Sequence, residues 1–183
     1  MKKHLVLLFI FWGTACAPVP DPTPTPIPLS QLNLESILVV EGDLPGDLVP
    51  DLKTNKNAVG AADELDRAEI VFTQYFLLNG GEGGGVSVFL FESLDDVQAA
   101  FEKVSTMMNK PVDFSKVGER ARMENFLIPL MPDVPPIEGS RLIFARCHAL
   151  VVIQFPRADD LDAIARYGRL LDERIQPLVC TDS

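Results

Sequence analysis

The sequence predicts an α+β fold in which an antiparallel sheet is built from two β-hairpins, each followed by a helix, so that a ββα unit occurs twice with both helices on one face. Three observations predict it. Two regions have strand composition on both sides of a reversal, and a stretch with helical periodicity follows each. The third is a sequence match, in which Val86–Phe91 and the acidic pair after it align without a gap with Leu150–Phe155 and its own acidic pair.

The first hairpin is predicted from Ala68 to Phe91. Ala68–Leu78 and Val86–Phe91 are rich in β-branched and aromatic residues, and the segment between them contains five glycines. A phosphate-binding loop is disfavoured because a strand, and no helix, follows the glycines. A mobile ligand-contact loop is the functional alternative, and it would consist of Gly81, Glu82 and Gly83.

The two helices are predicted over Ser93–Asn109 and Asp159–Ile175. Apolar residues recur in both at intervals of three and four. Ser93 and Asp159 are suited to cap the first turns, and Pro111 and Pro177 are expected to end the helices.

The second hairpin is predicted over Ser140–Phe155, with Arg146-Cys147-His148 at its reversal. Two other segments are less regular. Thr54–Arg67 is polar and is predicted to be a loop or a frayed helix. Asn125–Leu130 is predicted to be a short strand, which the prolines after it would keep at an edge of the sheet or break.

The first 15 residues have the pattern of a secretory signal peptide. Lys2 and Lys3 precede an apolar run, Leu5–Trp12, which is too short to span a bilayer. Gly-Thr-Ala-Cys follows, and this resembles a bacterial lipoprotein signal, whose lipobox ends in the cysteine. The resemblance implies cleavage before Cys16 and lipidation of Cys16; a non-lipidated secretory signal is the alternative.

Residues 16–30 are predicted to be a lipidated cysteine and a tether. Proline occupies every second position from Pro18 to Pro28, which favours an extended, semi-rigid spacer. A proline-rich ligand for a recognition domain is the alternative. Residues 31–183 then form a single domain of ordinary size.

The composition restricts the partners. The chain has a formal charge of −10, and removal of Lys2 and Lys3 with the signal leaves −12. Nucleic acid and anionic lipid headgroups bind to broad basic faces, and a chain this acidic is not expected to have one. With 47% hydrophobic residues, the domain can bury a core without a structural metal.

A disulfide between Cys147 and Cys180 is predicted from the lengths of the last strand and helix. Ala149–Phe155 covers roughly 23 Å as a strand and Asp159–Ile175 roughly 25 Å as a helix, so the helix should return the chain to the start of the strand, beside Cys147. Two free thiols or a redox pair are the alternatives.

No catalytic motif is found. His148 is the only histidine after the signal, and a zinc site around it would need both cysteines and a nearby carboxylate. A Gly-x-Ser-x-Gly elbow is absent, and the acidic pairs lie mostly at helix starts. We therefore predict no catalytic residue, no metal and no cofactor.

The order of the pieces resembles a family of uncharacterised bacterial lipoproteins with a signal, a proline-rich tether and one small α+β domain. Four segments carry the resemblance, namely Asp43–Gly46, Ser93–Asp96, Val117–Glu119 and Leu170–Ile175. It implies a lipid-anchored protein on the extracytoplasmic side of the cell membrane or outer membrane, and it implies no known active site.

The expected function is that of a non-enzymatic accessory module of the cell envelope. Besides the lipid membrane, its partner would be an envelope protein or a small ligand, bound on an open sheet face or beside the glycine loop. An envelope hydrolase with an unrecognised site and a purely structural envelope protein are the alternatives.

Overall fold

The computed structural model describes residues 29–37, 40, 42–43, 48–56, 65, 67–78, 83–128, 136–155 and 161–180. The predicted signal, Cys16, most of the tether, Gly81 and Glu82 lie outside these residues. The elements, in chain order, are the 3₁₀ turns Leu29–Gln31 and Leu34–Ile37, strands β1 (Leu48–Lys56), β2 (Ile70–Leu78) and β3 (Gly83–Leu90), helix α1 (Leu94–Thr106), strands β4 (Val112–Asp113), β5 (Arg120–Ile128), β6 (Ile137–Arg146) and β7 (Ala149–Phe155), and helix α2 (Leu161–Val179).

All the described strands join one antiparallel sheet with the order β1-β2-β3-β7-β6-β5-β4. The α+β class and the antiparallel sheet are therefore as predicted. The sheet is wider than two hairpins, because β1, β4 and β5 extend it on both sides. The prediction of a loop or frayed helix is wrong for Thr54–Lys56, which pair with Phe72–Gln74 in β2. Pro50 is tolerated in β1 because an edge strand has one side free of ladder bonds.

The helices pack on opposite faces of the sheet, so the prediction that they share one face is wrong. Helix α1 packs against a buried cluster that includes Phe89, Ile143 and Leu150. Helix α2 packs against a second cluster, which includes Phe144 and Val151. Neighbouring residues of one strand enter different clusters because side chains alternate across a sheet.

The physical reason lies in the composition of the two central strands. Leu142–Phe144 and Ala149–Val151 are all fully buried, without an exposed residue at every second position. A strand covered on one face alternates apolar and polar residues, whereas a strand covered on both faces is apolar throughout. These continuous apolar runs therefore required a helix on each side.

Both helices differ from the predictions at their C-terminal ends, and α1 ends at Thr106, before the predicted Asn109. Helix α1 begins as expected, with the Ser93 hydroxyl accepting the backbone N–H of Asp95 at 3.1 Å. Helix α2 does not end at Pro177 but continues to Val179, which is buried. Proline in the last turn costs one hydrogen bond, and burial of Val179 together with the Cys180 disulfide holds this turn in place.

Candidate functional site

Helix α1 covers only part of its face of the sheet. Strand register places side chains of this face in successive rows across β5, β6, β7, β3 and β2. Beneath the helix, the row contains Arg120, Ala145, Leu150, Phe89 and Val71. The next row contains Arg122, Ile143, Val152, Ser87 and Thr73.

The third row lies at the C-terminal end of α1, and it has polar side chains on four of the five strands and a glycine on the fifth. The backbone N–H of Asn109, three residues after the helix, donates to Glu124 Oε2 at 2.7 Å, which fixes the chain at the start of this row. We refer to the row as the polar row. It consists of Glu124, Arg141, Gln154, Gly85 and Tyr75.

Arg141 is the best-fixed side chain of the polar row. Its guanidinium carbon lies 5.1 Å from the centroid of the Phe126 ring, which packs against it in the next row. With the amide of Gln154 oriented by the hydrogen-bond network, its oxygen accepts from Nε at 3.0 Å and from Nη2 at 2.9 Å. The guanidinium is thus held in one orientation while 21% of the side chain stays exposed.

Glu124 neutralises the charge of Arg141. Its Oε1 lies 3.4 Å from Arg141 Nη1, and its side chain is only 1% exposed. Oε2 also accepts from the backbone N–H groups of Asn109 and, at 3.5 Å, Lys110. A buried carboxylate needs such partners, because an unpaired buried charge is strongly unfavourable.

Tyr75 forms the other end of the polar row. Its side chain is 48% exposed. A Cβ atom placed on Gly85 would lie 3.7 Å from Tyr75 Cδ1, so the ring lies beside the glycine across the strand pair. The same Cβ would lie 2.9 Å from the Gln74 carbonyl oxygen, so a larger residue at Gly85 would need the sheet to shift. Because Gly85 has no side chain, β3 contributes none to the sheet surface beside the exposed Tyr75 ring.

Of the glycine loop named by the sequence, Gly83 begins β3 and pairs with Leu77. Gly81 and Glu82 lie outside the described residues. Gly83 is therefore the one residue of the predicted contact loop among the described residues, and it lies at the edge of the sheet face that carries the polar row.

A second cluster of charged residues joins α2 to two turns. Arg146 donates from Nε to Asp172 Oδ1 at 2.7 Å and from Nη2 to Oδ2 at 2.5 Å. The Gly118 N–H donates to Asp172 Oδ2 at 2.8 Å. The hydrogen-bonded Asp172 carboxylate raises the pKa of the Arg146 guanidinium above its ordinary value. The two parallel hydrogen bonds make Arg146 and Asp172 a bidentate pair, which is typical of a structural clamp.

The Cys147–Cys180 disulfide lies next to this clamp. Its Cα atoms are 5.4 Å apart, and the bond links the β6–β7 turn to the end of α2, where the strand and helix lengths place it. The alternative of free thiols or a zinc site was left open by the sequence. Glu119, Cys147 and Cys180 do bring three ligand atoms within 4.8 Å of one another, but both sulfur atoms are used by the disulfide.

His148 does not face the polar row. Its Nδ1 lies 3.0 Å from the carbonyl oxygen of Phe91. Because a carbonyl only accepts, Nδ1 carries the proton in this contact. The side chain is half-buried and connects the β6–β7 turn to the end of β3.

One further contact joins two of the segments on which the lipoprotein resemblance depends, Asp43–Gly46 and Leu170–Ile175. Arg174 donates to both carboxylate oxygens of Asp43 at 2.8 and 3.1 Å. Burial opposes ionisation of Asp43, but hydrogen bonds from Arg174 and the Val40 N–H outweigh it and hold the pKa below 3.8.

Burial also raises the pKa of Tyr167 well above 10, so its phenol is neutral at physiological pH.

Comparison with known proteins gives little beyond these observations. The chain matches no protein-family model and no curated protein. One solved structure similar to it is the extracellular domain of PknH from Mycobacterium tuberculosis, which is 12% identical and aligns over 81% of this chain and 97% of that chain with a TM-score of 0.47. Among the described residues, no helix combines the length and the apolar character that a bilayer span requires.

The sequence missed the polar row because its members are spread over five strands. Two signals were available. Gln154 interrupts the otherwise apolar stretch Leu150–Phe155, and Arg141 directly precedes the apolar stretch Leu142–Phe144. A polar residue inside a central strand indicates a gap in the covering layer, but only the strand register shows that these two residues are neighbours.

Proposed function

We propose that this chain is a lipid-anchored, non-enzymatic binding module of the cell envelope, displayed on the extracytoplasmic side through Cys16. The polar row is its contact surface. The observation that carries the proposal is the composition of that row, in which a partly exposed Arg141 and an exposed Tyr75 lie on a rigid sheet beyond the end of α1.

The arrangement supports binding because the side chains are held in place before any partner arrives. Ordering a flexible arginine on binding costs free energy, whereas Phe126, Gln154 and Glu124 have already fixed Arg141. The strands that carry the row lie inside the sheet, and rigid elements position contact groups better than loops do. Aromatic and arginine side chains are also the residues that most often dominate binding energies.

The contact surface can be tested without knowing the ligand. A photo-reactive phenylalanine analogue replaces Tyr75 in the full chain expressed in its own host, and cells are irradiated. We expect a discrete adduct. Val112 is the matched control position, because it is 64% exposed and pairs with Met123, which packs against the α2 cluster. An absence of adducts at both positions, or equal adducts at both, would contradict the proposal.

The anchor is tested separately by Cys16→Ser. We expect this variant to leave the membrane fraction and to lose labelling by palmitate. Continued retention with palmitate labelling would exclude Cys16 as the site of lipidation.

A further inference from the structure

The polar row has a chemistry that restricts its ligand, and the restriction rests on the function proposed above. Three features carry it: the row's charge balance, the absence of free backbone groups, and the pairing of an exposed ring with hydrogen-bonding side chains. The first two each disfavour a class of ligand, and the third favours one.

Charge balance disfavours an ionic ligand. The only described charges in the row are those of Arg141 and Glu124, and they neutralise each other. An anion would have to compete with a carboxylate that is almost fully buried, and a cation would have to compete with the guanidinium. The mature chain, at −12, also repels polyanions. The ligand that fits the balanced charges of the polar row is therefore itself uncharged.

Strand pairing disfavours an extended peptide. Arg141, Gln154 and Gly85 lie on β6, β7 and β3, which are each hydrogen-bonded to a neighbour on both sides. A peptide that adds to a sheet needs an unpaired edge. The row is also too polar for an amphipathic helix, which needs apolar anchor sites. Recognition here must therefore use side chains alone.

The side chains match a polyhydroxylated ring. Tyr75 presents an exposed aromatic face, on which the C–H groups of a sugar can stack. Arg141 supplies a fixed guanidinium group and Gln154 a fixed amide. Ser87, which is half-buried in the adjacent row, supplies a hydroxyl 3.1 Å from Thr73 Oγ1. Hydroxyl groups donate and accept, so sugar hydroxyls can pair with all of these groups.

The size of the row favours an oligosaccharide over a single sugar. Tyr75 and Arg141 are three strand spacings apart by register, which corresponds to roughly 14 Å. We infer that the polar row binds an uncharged glycan, which lies across the strands with one sugar on Tyr75 and hydroxyls on Arg141 and Gln154.

The experiment uses the full chain with Cys16→Ser, recovered from the export compartment. Four neutral probes are titrated, namely maltotetraose, cellotetraose, mannotetraose and the tetramer of N-acetylglucosamine, beside tetralysine and tetraglutamate as charged probes. Saturation-transfer NMR detects contact, and titration gives the affinity. We expect binding of at least one neutral probe and none of tetraglutamate.

Variants then locate the binding. Tyr75→Ala should weaken the neutral probe about tenfold or more, because a stacked aromatic anchor is lost, while Tyr75→Phe should retain most of the affinity. Gln154→Leu should also weaken it, and Val112→Ala is the matched exposed control that should not change it. Circular dichroism checks that each variant is folded.

The outcomes separate this inference from the proposed function. If no neutral probe binds, or if one binds equally to Tyr75→Ala, the glycan assignment is wrong. If a charged probe alone binds and depends on Tyr75, the ligand class is wrong while the binding surface stands. The photo-crosslinking experiment at Tyr75 tests the polar row as a contact surface independently of any probe.

Discussion

Removal of the Cys147–Cys180 disulfide should destabilise the domain substantially. The two residues are 33 positions apart in the sequence. In the chain-entropy description, a loop of that length restricts the unfolded chain by about 4 kcal/mol at 25 °C. Each kcal/mol corresponds to about 2–4 °C in Tm for a domain of this size, so the melting temperature should fall by about 8–16 °C.

The perturbation is the double substitution Cys147→Ser with Cys180→Ser, because a single substitution would leave a free thiol. Urea unfolding followed by circular dichroism gives the free energy of unfolding, and a thermal scan gives Tm. Reductant should lower the stability of the native chain toward that of the double variant and leave the double variant unchanged.

The result that refutes this reasoning is a loss below about 1 kcal/mol in the double variant. That outcome would mean that the Asp172 clamp and the buried Val179 hold the end of α2 without the covalent link.

Three further predictions concern the contacts around α2. Asp172→Asn should lower the free energy of unfolding by about 2 kcal/mol, measured in urea, because Arg146 loses its charged partner; an unchanged midpoint would refute the clamp. Gly118→Ala should cost at least about 1–2 kcal/mol, because φ is +62° and a Cβ would lie 2.5 Å from a β6 carbonyl; a neutral effect would contradict this geometry. Arg174 holds the folded-state pKa of Asp43 below the ordinary value of 3.8. The contribution of Asp43 to the free energy of unfolding should therefore be fully present above pH 3.8 and should be lost as the pH falls through the folded-state pKa. Asp43→Asn should show a smaller loss between pH 6 and pH 3 in the same assay, and an equal loss would exclude Asp43 as the cause.

Local patterns in the sequence were sufficient for the helices and the paired central strands. The Ser93 cap and the spacing of apolar residues defined α1, and the lengths of β7 and α2 placed Cys180 beside Cys147. Strand β1 was missed because Leu48–Lys56 is polar and contains Pro50, and its structure depends on pairing with β2. Tertiary pairing thus decided what local propensity could not.

The faces of the helices could have been predicted and were not. The expectation of one shared face came from treating the two halves as copies. The continuous apolar runs in β6 and β7 pointed instead to two covered faces. The polar row was beyond prediction, because a register shift of one residue would turn Arg141 and Gln154 to the other side of the sheet.

The placement of the two helices also bears on the origin of the sequence match. Strands β3 and β7 are antiparallel neighbours, with β2 and β6 outside them. The rotation that exchanges these pairs has its axis normal to the sheet and cannot move a helix from one face to the other. The segments β2-β3-α1 and β6-β7-α2 therefore have opposite hand, and the matched residues Phe91 and Phe155 pack into different clusters. The match reflects a shared way of turning from a strand into a helix, and no symmetry operation makes the halves equivalent.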